Sequence, residues 1–425
     1  MSPAGVGRRA SFCIRCRTAP LVLLCSLYVT DFFYILAVFQ ISLGLYMIAD
    51  GLRWRGYVRR RLFSHSGFYA PRVAVICPCR GMEPGLDRNL LSLCEFDYPN
   101  YELFLVLASA TDPAYDLIRR LTDRAKPKVH VVIAGPPEGC GEKVNNLRVA
   151  VEQLPPDFDV LVFTDSDGRP GHQWLQRLVA PLADSRLGAA TTFRWLFPSR
   201  TNFATALETA WNAPIVGMLG EHQHNFCWGG GTAIRSAVFE QAQIFEEWRN
   251  SVSDDFSMTR ALTRANRQIL FVPECLTPSY FDTDFDGLLE FTNRQIIIAR
   301  VYSPRHWFLG AAGHSLYCLT ILLGAALLLG ALFTGSPASH LFFLTLTPMV
   351  LAALRGATRL VAVGEINPAW KQKLGEQAWI WTLLAALVPF LYCVNFLTSL
   401  FTRTIRWRGI RYELISPTQA KFLPR

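Results

Sequence analysis

Val160-Leu161-Val162-Phe163-Thr164-Asp165-Ser166-Asp167-Gly168 is a β-favouring apolar run that ends on two acids, and the architecture can be worked out from it. Four comparable runs lie at Val73–Ile76, Leu103–Leu107, Val129–Ile133 and Ile269–Val272. Longer stretches with helical spacing separate them, including Ala114–Leu121 and Glu142–Leu154. Strands alternating with helices predict an α/β domain with a mainly parallel sheet covered by helices. Ligands in such sheets bind beyond the carboxyl ends of the strands, so the residues just after each run carry the functional information. Acids stand there twice, as Asp112 in Ser109-Ala110-Thr111-Asp112-Pro113 and as Asp165 and Asp167.

Asp165 and Asp167 flank one residue, so in extended backbone both carboxylates point the same way and can converge on one hard cation. Mg²⁺ or Mn²⁺ held there with phosphate oxygens would neutralise charge on a departing diphosphate; the plainer reading is an Asp-rich turn. Asp112 before Pro113 also fits a helix start, with the acid as N-cap and proline at the first helical position. Asp254 and Asp255, in Ser253-Asp254-Asp255-Phe256, read either as a capped helix start or as the place of a general base. Lys143 opens a helical stretch, where it either meets a phosphate as a point charge or is simply solvated. Gly229-Gly230-Gly231 after Trp228 permits close approach of backbone to a sugar or lipid head, or makes an ordinary turn.

The 425 residues are 51% hydrophobic, high for a wholly soluble chain. Leu21–Ile48 is long enough to cross a hydrocarbon core of about 20 apolar residues. It exceeds a signal-peptide apolar region and no small-residue cleavage site follows, so it is read as a retained anchor. Leu309–Thr334 and Ala378–Phe401 are further candidate spans, and Leu341–Leu354, interrupted by Pro348, is either a span or a re-entrant segment. The resulting division is a basic tail at 1–20, an anchor at 21–49, a catalytic domain at 70–287, an interfacial amphipathic segment at 288–307, two or three spans at 309–402 and a basic tail at 403–425. The net charge of +9 gathers beside the apolar runs, at Arg53, Arg55, Arg59, Arg60 and Arg61 and at Arg403, Arg406, Arg408 and Arg411. Such clusters suit anionic head groups of a lipid bilayer and favour the cytoplasmic side; nucleic acid is the poorer partner. Arg8, Arg9, Arg15 and Arg17 nearly balance that rule at the first anchor. The eleven cysteines are scattered and form no disulfide framework, and the lone Cys13–Cys16 spacing is a weak metal signal.

Taken in order, these sites resemble the family-2-type glycosyltransferases, most closely the ceramide glucosyltransferase branch and its bacterial lipid-modifying relatives. The resemblance is carried by Pro78-Cys79-Arg80-Gly81-Met82-Glu83-Pro84, Asp97-Tyr98-Pro99-Asn100-Tyr101-Glu102, Asp112-Pro113-Ala114, Lys143 with Asn145 and Asn146, and the closing Trp407-Arg408-Gly409-Ile410-Arg411-Tyr412. It implies a GT-A domain, a UDP-sugar donor and a membrane lipid acceptor, with inverting transfer at the cytoplasmic face of a bacterial inner membrane. The resemblance and the residue readings together give donor binding by Asp112, Lys143, Asn146, Asp165, Arg294 and Arg300, metal binding by Asp165 and Asp167, and acceptor contact at Trp228, Gly229 and Gly230. Asp255 is then the base that accepts the acceptor's proton. The branch's fourth motif, (Gln/Arg)-x-x-Arg-Trp, departs here: Arg294 is followed by Ile297 and Ile298 where Arg-Trp is expected. Arg300, with Tyr302 or Trp307, is the expected substitute. Glucose onto a ceramide-type hydroxyl is the nearest analogy, and N-acetylglucosamine onto a hopanoid-type lipid the runner-up. A processive polysaccharide synthase is disfavoured by few spans and the lost Arg-Trp pair. A catalytically silent binding protein is disfavoured by the three retained aspartates.

Overall fold

The computed structural model describes residues 19–64, 67 and 69–423; the amino-terminal arginines and the Cys13–Cys16 pair lie outside the described residues. Helix α1 spans Ala19–Phe63, 45 residues, or about 68 Å at 1.5 Å per residue, about twice the hydrocarbon thickness. The expected anchor is therefore the first part of a longer rod whose far end buries Trp54, Tyr57 and Val58 against the soluble domain. The Trp54 indole N–H donates to the Leu219 carbonyl at 2.8 Å, and Tyr57 donates to that of Phe271 at 2.5 Å.

The chain then alternates through β1 (Val73–Pro78), α2 (Leu86–Leu93), β2 (Tyr101–Leu107), α3 (Tyr115–Thr122), β3 (Lys128–Ile133), α4 (Glu142–Glu152), β4 (Val160–Thr164) and α5 (Trp174–Val179). The second half is mixed: β5 (Leu187–Thr191), β6 (Arg194–Pro198), α6 (Phe203–Val216), β7 (Gly231–Arg235), α7 (Ser236–Gln241), α8 (Ile244–Trp248), α9 (Asp254–Arg264), β8 (Gln268–Phe271) and β9 (Thr277–Phe281). Seven strands form one sheet in the order β3-β2-β1-β4-β7-β5-β8, and β6 pairs with β9 separately. All five expected runs become strands of the main sheet. The small-residue strands β5 (LGAAT) and β7 (GTAIR) escape sequence reading because they lack a bulky β-branched or aromatic majority. The sheet is mainly parallel, with β7 antiparallel to both β4 and β5. Strand order reverses between β1 and β4, which opens a crevice at their carboxyl ends.

Helix α10 (Phe285–Tyr302) leads into α11 (Pro304–Thr334), α12 (Ser339–Ile366), α13 (Lys371–Glu376), α14 (Ala378–Thr382) and α15 (Val388–Phe401). The segment expected at 288–307 is thus two helices, split at Ser303 with Pro304 opening the second. Among the described residues, Tyr28–Phe63 of α1, α11 and α12 are long and apolar enough to cross a membrane. The two carboxyl-side expectations exchange places. Pro348 sits inside a continuous α12, whereas Ala378–Ala386 and Val388–Phe401 meet at a bend of 61°. Pro348 removes one helical hydrogen bond and leaves 28 residues in register, whereas Pro389 falls in the first turn of a new helix, where proline is well suited.

The tail expected at 403–425 folds as an antiparallel sheet of β10 (Thr404–Trp407), β11 (Ile410–Ser416) and β12 (Gln419–Leu423). Arg408 and Gly409, at φ 50° and 80°, form the two-residue turn between the first two strands; a turn with both central φ positive matches strand twist. Many juxtamembrane arginines are consumed in ion pairs rather than left for lipid, as in Arg55–Glu365, Arg60–Glu221, Arg61–Glu274 and Arg406–Glu290. Helix α6 is buried nearly all round and ties the sheet to the membrane helices through a polar relay. Trp211 donates to Asn395 Oδ1 at 3.1 Å, Asn395 donates to Thr292 Oγ1 at 3.0 Å and Asn293 Oδ1 at 2.9 Å, and Tyr392 donates to the Trp211 carbonyl at 3.0 Å.

Candidate active site

A cavity of about 1220 Å³ opens at the β1/β4 crevice and continues into the membrane helices. At its sheet end, Lys143 is held by the start of α4, and its Nζ lies 2.7 Å from Asp165 Oδ1 and 3.1 Å from Asp254 Oδ2. The second contact is an ion pair without hydrogen-bond alignment, leaving Asp254 Oδ2 buried and short of a donor. Burial works against charging Lys143, but Asp165 and Asp254 outweigh it and hold the ammonium above its usual range. Burial likewise pushes Asp165 upward, and Lys143 reverses it, leaving this carboxyl lowered. Asp254 goes the other way: burial pushes its carboxyl up to about 6, against the pull of Lys143. The two acids are therefore separated in acidity by their surroundings.

Gly229 and Gly230 are explained by this cluster. A Cβ on Gly229 would sit 2.3 Å from Asp254 Oδ2 and 2.6 Å from Lys143 Nζ; one on Gly230 would sit 2.3 Å from the Trp228 ring and 2.8 Å from Asp165 Oδ2. The glycines let backbone close over the charged groups, a demand of space rather than of φ. Trp228 is buried against Phe193 and lines the cavity.

Asp255 lines the same cavity. Its Oδ1 accepts from the Phe256 amide at 2.8 Å and from the Ser253 hydroxyl, in a capped start of α9. Its Oδ2 accepts no hydrogen bond among the described residues, so the capping and base readings are compatible. Asp167 Oδ2 takes Arg194 at 3.2 Å, while its Oδ1 is buried without a partner. Among the described residues no group of three or more His, Cys, Asp or Glu gathers as a cation site. Two carboxylates with one orphan oxygen still fit Mg²⁺ or Mn²⁺ chemistry, provided substrate phosphates complete the shell.

Asn146 lines the cavity with a buried, unpartnered Oδ1, whereas Asn145 turns away and donates to the carbonyls of Ala134 and Gly135 at 3.5 and 3.4 Å. Asp112 is not part of the lining. Its carboxylate accepts from the Gly81 amide at 3.0 and 3.1 Å and the Ala114 amide at 2.8 Å, fixing the loop that delivers Arg80 to the cavity. Arg294 does line the cavity, against Phe291 and Trp407, and burial pushes its guanidinium down to about 10, so it stays cationic at neutral pH.

Arg300 is a correction. Six residues past Arg294 on one helix, it points about 120° away, where it donates to the Ser399 carbonyl and faces Trp307 outside the main cavity. Tyr302 is occupied with Ser251 and Val252, and Trp307 with Ser399. The cation and aromatic beside Arg294 come instead from the β10–β11 turn. Trp407 lies 5.3 Å from the Arg294 guanidinium, and Arg408 pairs with Glu83. Burial works against its charge, but Glu83 and Asp167 hold Arg408 above its usual range. The turn signature Arg408-Gly409 between alternating strands is the sequence signal that could have found it. Arg194 and Glu208 also line the cavity unforeseen. Glu208 is buried on α6 and pushed up to about 7 by burial, although Arg194 and Arg294 oppose it; within a buried helix it carried no sequence signal.

Toward the membrane the lining includes the apolar Met47, Leu309 and Phe396 together with Tyr392, His314 and Arg355. A family model for glycosyl transferase family 21 matches residues 33–420. Among solved structures, the mannosyltransferase PcManGT from Pyrobaculum calidifontis in complex with GDP-Man and Mn²⁺ is similar over 84% of this chain and 99% of its own, at 16% identity and a TM-score of 0.42. TarS 1–349 of S. aureus is similar over 83% and 99%, at 12% identity and 0.35. Glucosyl-3-phosphoglycerate synthase from Mycobacterium tuberculosis, in complex with phosphoglyceric acid, is similar over 58% and 82%, at 14% identity and 0.35.

Proposed function

Because this chain belongs to glycosyl transferase family 21 and is a glycosyltransferase with a GT-A domain on membrane helices, we propose that it transfers glucose from UDP-glucose to the hydroxyl of a ceramide-type lipid, with inversion. The observation that carries this reading is the single cavity that holds Lys143, Asp165 and Asp255 at one end and membrane-helix side chains at the other. A lipid hydroxyl rising from the bilayer reaches the carboxylates without leaving protein.

The acceptor oxygen attacks the sugar's anomeric carbon, its proton passes to Asp255 Oδ2, and the bond from that carbon to the diphosphate oxygen breaks with its electron pair leaving on the diphosphate. Attack opposite the leaving group inverts the centre and needs no covalent enzyme intermediate. Arg294 and Arg408 face the growing negative charge as preorganised cations, and Asp112 acts through the loop that aims Arg80. Asp165 and Asp167 would hold Mg²⁺ or Mn²⁺, which neutralises charge on the departing diphosphate when bound. Lys143 keeps Asp165 ionised for that work. The basic flank of α1, on the side of the catalytic domain, supports placing the domain on the cytoplasmic face, and the bacterial inner membrane is the proposed location.

The test is transfer of radiolabelled glucose from UDP-glucose to lipid by the full chain with Mg²⁺ or Mn²⁺, beside Asp255→Asn. Labelled glycolipid from wild type and none from the variant supports the reading. Equal background from both, with every UDP-sugar tried, overturns it.

A further inference from the structure

Among the described residues, α12 carries two arginines with no acid at ion-pair distance. Arg355 and Arg359 lie one turn apart on the same face of a membrane-spanning helix. Arg359 is only 8% exposed, and its Nε faces the carboxyl end of α6, where a Cβ on Gly217 would come within 3.9 Å. Arg355 lines the membrane end of the cavity with His314 and Tyr392. Neither guanidinium makes a hydrogen bond or an ion pair among the described residues. Asp50 of α1 is the acid whose charge reaches Arg355, and it forms no ion pair with it. Glu365, further along α12, is taken by Arg55.

An unpaired guanidinium out of water is strongly disfavoured, and removing a partner from a buried charge is among the most destabilising changes known. Only the carboxyl end of α6 at Arg359 and the charge of Asp50 at Arg355 offset these two within the chain, which leaves room for a counter-charge from outside it. The same cavity is also lined by the apolar Met47, Leu309 and Phe396, so a ligand that supplies the charge and fills this space carries long hydrocarbon as well. Two planar guanidinium groups present paired donors that match an oxyanion such as a phosphate ester. We propose that Arg355 and Arg359 bind the anionic phosphate headgroup of a membrane lipid, at a site distinct from the carboxylate end of the cavity. The inference does not rest on the sugar-transfer reading, since it concerns binding alone.

Native mass spectrometry of the full chain, released from bilayers of mixed phosphatidylglycerol and phosphatidylcholine, tests it. Wild type is expected to retain phosphatidylglycerol preferentially, and Arg355→Gln/Arg359→Gln to lose that preference by on the order of tenfold or more, while Arg355→Lys/Arg359→Lys keeps part of it. If the double Gln variant does not fold, Arg355→Gln alone carries the comparison, because Arg355 lines open cavity. A wild type without headgroup preference, or a preference equal in wild type and Gln variants, overturns the proposal. Competition by excess inorganic phosphate separates the two sources of the same chemistry: retention of the lipid supports it, and displacement as effective as by added phosphatidylglycerol overturns the lipid assignment.

Discussion

Lys143→Met removes the one cation between Asp165 and Asp254 while keeping the length of the side chain. At 2.7 and 3.1 Å, each contact is worth about 5 to 6 kcal/mol of gross attraction at an effective dielectric constant of about 20. Desolvation of the three groups cancels most of that gain, but the variant keeps the desolvation and loses the attraction. The expected loss is about 3–5 kcal/mol at neutral pH, on the order of 10 °C in melting temperature for a domain of this size. The loss depends on pH with a definite sign. Asp254 is already raised from 3.8 to about 6, so its folded form prefers the proton. That contribution to stability is complete below 3.8 and is lost as pH rises through about 6. Without Lys143 both carboxyls move upward, so the variant should be weakest at high pH and recover on acidification. Thermal unfolding of the detergent-solubilised chain at several pH values measures this, and Lys143→Met/Asp254→Asn, with one buried acid neutralised, should regain much of the loss. A Lys143→Met variant within about 0.5 kcal/mol of wild type, with a flat pH profile, would refute the buried cluster.

Asp165→Asn should weaken UDP binding and make it insensitive to chelator, whereas Asp255→Asn should leave it intact; calorimetry with and without chelator distinguishes the two. Arg408→Ala should raise the donor KM about tenfold to a hundredfold, the worth of one charge-assisted hydrogen bond, while Arg300→Ala, outside the main cavity, should leave it within about twofold; equal effects in initial-rate kinetics would contradict the placement of both residues. Gly229→Ala puts a methyl group 2.3 Å from Asp254 Oδ2, so it should cost about 1–3 kcal/mol by overpacking and lower kcat, read by thermal unfolding and rate together.

Much of this protein was written locally. Apolar runs of strand length gave the five principal strands, and carboxylates at their ends marked the crevice, because strand period and strand termination are properties of neighbouring residues. The long apolar helices were equally plain. What local pattern could not supply was partnership at distance. Lys143 and Asp254 lie over a hundred positions apart, and only the closed fold brings the starts of α4 and α9 together beside Gly229. Arg300 was expected beside Arg294 by nearness in sequence, but helical rotation turned it outward and the Arg408 turn, from the far end of the chain, took the position. The bend at Val388, the uninterrupted helix through Pro348 and the unpaired arginines of α12 belong to the same class. The sequence alone determined which elements form and where their acids stand, since those depend on short-range sterics and periodicity. The tertiary structure alone decided which charges face one another, since burial and Coulomb energy depend on distances that the chain sets only once it has closed.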